Sequence, residues 1–184
     1  NDNDEADMMV KRIFDTYTDK VGELRKAWGV LIPAGISTFG REIIWIPQRK
    51  ATADGHKRGE ILACNFSPSP GTDTKGPTAA LKSYCKMDFT KLPNAGTIEL
   101  KLHPASVEGD AGLRALMGLA KSFVKLGGCF LHVDVVDTAL LLDAQRNPDK
   151  YPNLTVRVAG WSARFATLDD TWQKMIIQLT QQYM

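Results

Sequence analysis

From Thr97 onward the chain alternates strand-like and helix-like segments, and that alternation restricts the fold more than any other feature. Thr97–Leu102 places Ile98, Leu100 and Leu102 on one face of a strand. A helical pattern near residues 110–126 follows, with Leu113, Leu116, Met117, Ala120, Phe123 and Val124 on its expected buried side, and Gly127-Gly128 stops it. Next come a strand over Leu131–Val136, a helix over Ala139–Gln145, a proline-bounded loop, and a strand with Leu154, Val156 and Val158 on one face that ends at Gly160. A last helix opens with Asp169-Asp170, which suits the positive end of its dipole, and is expected to bury Trp172, Met175, Ile176 and Leu179. Strands that alternate with helices make an α/β fold.

The first half reads differently. Residues 4–28 form an amphipathic helical pattern, with Met9, Ile13, Tyr17, Val21, Leu24 and Trp28 at steps of three and four. Gly29 to Pro47 is apolar and β-like, through Val30-Leu31-Ile32 and Ile43-Ile44-Trp45-Ile46. Arg49 to Gly76 is rich in turn residues, and loops of this length in compact domains are usually functional or disordered. Its few charges and its apolar Ile61, Leu62 and Phe66 argue against disorder. A helix over about 77–87 closes this half.

Bulk properties narrow the class. The 184 residues suffice for one domain, and a 43% hydrophobic, 24% charged composition is that of an ordinary soluble protein. A net charge of +2 without a basic block implies neither nucleic acid nor an anionic membrane as partner. No apolar run reaches the roughly 20 residues of a membrane span, and no signal peptide is visible. Cys64, Cys85 and Cys129 are odd in number and far apart, which fits a reducing cytoplasm rather than a disulfide framework or zinc site. His132 and Asp134 share a strand face, a weak metal signal better read as an ordinary polar pair, so no metal is expected. The start at Asn1, inside a helical pattern, suggests a fragment; processing would look the same.

The run Thr155-Val156-Arg157-Val158-Ala159-Gly160-Trp161-Ser162-Ala163 brings a strand up to a glycine and an aromatic. By position alone Gly160 is a turn glycine after a strand. Glycine is also the residue best able to hold an unpaired electron on Cα. Such a radical is stabilised when the flanking amide nitrogen and carbonyl become coplanar with it, and a side chain would crowd that plane and shield the hydrogen to be removed.

The nonamer closely resembles the glycyl-radical signature of the pyruvate formate-lyase superfamily, and further blocks resemble that family in the same order. Ala51-Thr52-Ala53-Asp54-Gly55-His56-Lys57-Arg58-Gly59-Glu60 is similar to a family loop, with Ala53 for the usual proline and His56 for the usual arginine. Ser67-Pro68 with Gly71, Asp73 and Gly76-Pro77-Thr78-Ala79 resembles the next block, and Lys101-Leu102-His103-Pro104 a third. Leu142-Asp143-Ala144-Gln145 with Tyr151-Pro152 and Leu154 resembles the segment leading to the radical loop, and Asn1-Asp2 with Asp7 a segment upstream.

The resemblance implies the C-terminal part of a ten-stranded barrel with surrounding helices and a central glycine loop: one fragment over residues 1–184, with residues 1–140 the barrel portion and 141–184 the glycine radical region. It makes Gly160 the radical site, installed by a separate radical-SAM activase that carries an iron–sulfur cluster, with no cofactor bound directly. Arg157, Ala159, Trp161 and Ser162 then support the radical loop. The hydrogen-abstracting cysteine of the family lies on an upstream loop, and none of Cys64, Cys85 or Cys129 sits in such a context. A partial barrel is expected to leave strand edges and apolar faces uncovered.

Several reactions run on this scaffold, and fold does not choose among them. The stretch Ile32-Pro33-Ala34-Gly35-Ile36-Ser37-Thr38-Phe39-Gly40 resembles the family's pocket strand, with Ser37 and Thr38 as pocket candidates and no histidine. With Trp161 for the usual tyrosine, the chain looks most like the benzylsuccinate and alkylsuccinate synthases, which add a hydrocarbon to fumarate. Fumarate would need an arginine: Arg41, Arg157 or one upstream. The implied partners are the activase, the rest of the catalytic subunit and small accessory subunits, in the cytoplasm, without nucleic acid or membrane. Other glycyl radical lyases (formate acetyltransferase-like enzymes, dehydratases, arylacetate decarboxylases) and a stand-alone glycyl-radical spare part are the alternatives, along with a plain α/β binding module.

Overall fold

The computed structural model of the chain describes residues 1–38, 42–158 and 161–181. Helix α1 (Asp4–Trp28) opens the fold, capped by the Asn3 side chain, which accepts from the Glu5 and Ala6 amides. Acidic Asp4, Glu5 and Asp7 sit in its first turn and basic Arg25 and Lys26 in its last, each matched to the dipole. Gly29 ends it at φ 65°, a left-handed conformation open to glycine.

Among the described residues of the stretch 29–47, expected to be β-like, none forms a strand. Among its described residues only Ile36 makes a ladder contact, a parallel bridge to Gly96. Glu42–Trp45 instead forms a single helical turn, α2. Pro33, which has no amide hydrogen, and Gly35 interrupt any ladder over 30–38.

Helix α3 spans Pro77–Tyr84, with proline in its first turn. Strand β1 (Thr97–Leu102), helix α4 (Gly109–Lys125) and strand β2 (Phe130–Val135) make a βαβ unit. β1 and β2 run parallel with Glu99 opposite His132 and Lys101 opposite Asp134. Helix α5 (Thr138–Arg146) follows, then strands β3 (Thr155–Val158) and β4 (Trp161–Arg164) and helix α6 (Asp170–Gln181). β3 and β4 pair antiparallel. The α/β reading holds. Among the described residues the strands make two two-stranded sheets, not a closed barrel.

Two apolar cores result. Phe14, Leu81, Tyr84, Phe89, Leu92, Ile98, Leu100, Leu119 and Phe123 join α1, α3, β1 and α4. Leu141, Val156, Val158, Phe165, Met175, Ile176 and Leu179 join α5, β3 and α6. Each such side chain contributes about 1.5–3 kcal/mol by leaving water. Polar contacts fasten the start of α1 to α3: Lys86 Nζ lies 2.6 Å from Asp7 and 2.7 Å from Asp4, and Ser83 Oγ lies 2.9 Å from Asp7. Those hydrogen bonds raise the Lys86 pKa above its usual value.

Burial corrects two helix readings and bears out a third. In α1 the buried residues are Asp7, Phe14 and Thr18, while Ile13 and Trp28 of the apolar stripe are exposed. In α4 the buried set is Gly112, Leu119 and Phe123, and Leu113, Met117, Ala120 and Val124 face outward. In α6 Met175, Ile176 and Leu179 are buried as expected, with Trp172 half-buried. No described helix is long and apolar enough to cross a membrane.

Candidate functional site

Strand β1 is apolar on one face and charged on the other. Ile98 and Leu100 enter the core, so the two-residue period turns Glu99 and Lys101 to the opposite side. Parallel pairing then sets His132 beside Glu99 and Asp134 beside Lys101. Lys101 Nζ lies 3.4 Å from Asp134 Oδ2, and His132 Nδ1 lies 4.0 Å from Glu99 Oε1. His132 and Asp134, on one strand face, thus lie opposite Glu99 and Lys101 of β1. Among the described residues no group of three or more His, Cys, Asp or Glu side chains could hold a metal ion.

Glu99 is only 7% exposed. Burial disfavours its charge, but His132, the positive Lys101 and the Cys64 thiol outweigh that cost and hold the carboxyl below its ordinary range. It also receives the Asn65 amide, Nδ2 to Oε1, at 2.5 Å. Asn65 reaches the pocket candidates in turn: its Oδ1 accepts from the Thr38 amide at 3.1 Å and from Ser37 Oγ at 3.3 Å. Ser37 and Thr38 therefore belong to one hydrogen-bonded array with Asn65 and Glu99, beside His132.

The β3–β4 hairpin stands next to that array. Val158 pairs with Trp161 and Arg157 with Ser162. Arg157 Nη1 lies 3.4 Å from Ser162 Oγ, and Trp161 meets Trp172 edge to face with centroids 5.9 Å apart. An open cleft of about 380 Å³ separates the hairpin from β2, lined by His132, Asp134, Thr155, Arg157 and Ser162 among others. Arg157, Trp161 and Ser162, three of the expected loop-support residues, are thus brought together on paired strands. Ala159 and Gly160, which lie between Val158 and Trp161 in sequence, fall outside the described residues, as does Arg41.

Sequence reasoning missed Asn65 and Glu99, and it missed strand β4. The signal for Glu99 was present: a strand with buried Ile98 and Leu100 carries acidic and basic residues on its other face. Asn65 gave no such signal, because its partners lie 27 and 34 residues away.

Comparison with known proteins adds the family. The protein-family model Glycine radical matches residues 62–166. The probable dehydratase YbiW of Escherichia coli (strain K12) is 34% identical over 188 residues, covering 98% of this chain and 23% of that protein. The solved B12-independent glycerol dehydratase of Clostridium butyricum, in its glycerol-bound form, superimposes with a TM-score of 0.88 at 37% identity over 97% of this chain and 23% of that one. A glycyl radical enzyme from Archaeoglobus fulgidus gives 0.86 at 32% identity over 99% and 23%. The chain thus spans under a quarter of the length of these relatives.

Proposed function

This chain belongs to the glycine radical family, and we propose that it stores an unpaired electron on Gly160 within a glycyl radical enzyme. The observation that carries this reading is the family match over residues 62–166, which takes in the β3–β4 hairpin and the Ala159-Gly160 step between its strands. In the proposed cycle a radical-SAM activase removes a hydrogen atom from Gly160 Cα. The Gly160 radical then takes the hydrogen atom of a cysteine thiol outside this chain, leaving a thiyl radical and an intact glycine. The thiyl abstracts hydrogen from the substrate and becomes a thiol, and the product radical takes that hydrogen back, which regenerates the thiyl. In this proposal Arg157, Trp161 and Ser162 hold the hairpin strands, and neighbouring Ala159 completes the radical-loop support.

Residues 1–140 as barrel portion and 141–184 as radical region remain part of this proposal. The exposed apolar residues on α1 and α4 support a larger structure in which the rest of the catalytic subunit covers them. Small accessory subunits are proposed alongside.

For the reaction itself we propose addition of a hydrocarbon to fumarate. The substrate radical adds to the fumarate double bond, and the resulting carbon radical regains hydrogen from the thiol. The pocket segment supports this: Ala34 is buried, Ile36 lies against the start of β1, and Ser37 and Thr38 are the polar groups at its end. A second reading, dehydration of a small hydroxylated substrate, is supported by the charged face of β1 and β2 and by the similarity to dehydratases.

Air exposure tests the radical assignment. Oxygen adds to the Gly160 radical and breaks the backbone at its Cα, so mass spectrometry of an activated, air-exposed sample should find two fragments that part at Gly160, the C-terminal one containing 161–184. Intact chains alone, from a sample shown to carry the radical, would refute it. Supplying activated enzyme with fumarate plus an alkane or toluene, or with propane-1,2-diol, separates the two reactions by product: a substituted succinate in the first case, an aldehyde in the second.

A further inference from the structure

The Asn65 side chain joins two parts of the molecule that no continuous sheet connects. On one side it holds Ser37 and Thr38, on the other Glu99. We propose that Asn65, oriented by Glu99, is the positioning residue that sets Ser37 and Thr38 for substrate; this rests on the reading of those two residues as pocket groups.

The chemistry of the partners fixes the clamp. A primary amide has an accepting oxygen and a donating NH2 group. The ionised Glu99 carboxylate can only accept, so Asn65 must turn Nδ2 toward it, as it does at 2.5 Å. The Thr38 amide can only donate, so it needs Oδ1, which it meets at 3.1 Å. A flipped Asn65 would set oxygen against carboxylate and NH2 against N–H, both unfavourable in a partly buried site. Only one orientation satisfies both neighbours.

The backbone is shaped for this contact. Asn65 has φ 53°, a left-handed conformation that asparagine and aspartate tolerate better than other non-glycine residues. Its own amide donates to Thr38 Oγ1 at 2.5 Å, closing a reciprocal pair with the Thr38 amide. The next two residues lock to β1: the Phe66 amide donates to Thr97 O at 2.8 Å and the Glu99 amide to Ser67 Oγ at 2.9 Å. Segment 65–67 therefore moves with β1, and Asn65 hands that fixed position to Thr38.

A polarity swap in the full-length enzyme tests the clamp. Asn65→Asp keeps the size and backbone tolerance but sets two carboxylates face to face. Glu99→Gln still offers an oxygen to Asn65 Nδ2 but no longer compels that orientation, so its exchange at Thr38 should lie between wild type and Asn65→Asp. The double variant, Asn65→Asp with Glu99→Gln, reverses the pair. The amide now at position 99 donates to the carboxylate now at position 65, whose other oxygen still accepts from Thr38.

Hydrogen–deuterium exchange of the peptide spanning Thr38 should rise at least about tenfold in Asn65→Asp, the size expected for losing a charge-assisted hydrogen bond, and return toward wild type in the double variant. Peptides from α4 should not change. In activated enzyme, Asn65→Asp should raise KM for fumarate or propane-1,2-diol, whichever turns over, by a similar factor with radical content unchanged. A double variant no better than Asn65→Asp, or an Asn65→Asp protein with wild-type exchange, overturns the clamp. Unchanged KM alongside faster exchange overturns its role in positioning substrate. Absence of any radical in the wild type sinks the functional reading instead, and the exchange measurements still decide the clamp.

Discussion

Arg157 on β3 and Ser162 on β4 are cross-strand partners, with Arg157 Nη1 3.4 Å from Ser162 Oγ. Both also line the cleft that faces His132 and Asp134. They are one step beyond the Val158–Trp161 pair, so they set the strand spacing next to the proposed radical residue. The contact is long and exposed, which limits its worth to stability to below about 1 kcal/mol. Arg157→Gln should therefore melt close to wild type yet lower the radical content of activated enzyme by more than its stability loss explains. Thermal melting and spin counting on the same preparation check this.

Two helical glycines should respond in opposite directions. A Cβ on Gly112 would stand 2.1 Å from the Val107 carbonyl carbon, which is backbone and cannot move aside alone. A Cβ on exposed Gly118 would meet nothing within 4 Å. Gly112→Ala should destabilise by several kcal/mol, on the order of 3, as overpacking against a fixed neighbour does. Gly118→Ala should stabilise by about 0.5–1 kcal/mol through helix propensity. Chemical denaturation of the two variants decides.

How much of this was legible in the sequence follows from the range of the forces involved. β1 was readable to its ends because Ile98 and Leu100 alternate with charged residues and both enter one core. The α1 stripe misled, because periodicity shows that a helix has an apolar face but not what covers it; Phe14 is buried while Ile13 is 65% exposed. Strand β4 hid because Trp161-Ser162-Ala163-Arg164 has no alternating apolar residues of its own and exists through pairing with β3. In the candidate site, Arg157, Trp161 and Ser162 were local to one motif, whereas Asn65 and Glu99 are joined only by tertiary structure.

Tyr84 fastens α3 to both strands of the parallel sheet: its hydroxyl donates to Gly96 O and accepts from the Phe130 amide at 3.3 Å. Burial pushes its pKa from 10.0 to about 12. A raised folded-state pKa means stability that is complete below pH 10 and lost as pH climbs toward 12. Tyr84→Phe should cost about 1–3 kcal/mol at neutral pH, by leaving the Gly96 carbonyl without its partner. It should also flatten the alkaline limb of a stability–pH curve. Cys85, raised by burial to about 11, keeps part of that limb in the variant.

The same burial should order the thiols by reactivity. Cys129 is exposed, whereas Cys85 is half-buried with its pKa raised to about 11, so few Cys85 thiolates exist at neutral pH. Iodoacetamide at pH 7.5 should label Cys129 first and Cys85 far more slowly, as peptide mapping over time would show. Equal labelling rates would contradict the packing around Tyr84 and Cys85.

The most direct test of the central claim is electron paramagnetic resonance of the anaerobically activated full-length enzyme, made with ordinary glycine and with glycine deuterated at Cα. A radical on Gly160 carries one α-hydrogen, so the signal should be a doublet that collapses toward a singlet on deuteration and is absent in Gly160→Ala. A doublet unchanged by deuteration, or a radical that survives Gly160→Ala, would contradict the account.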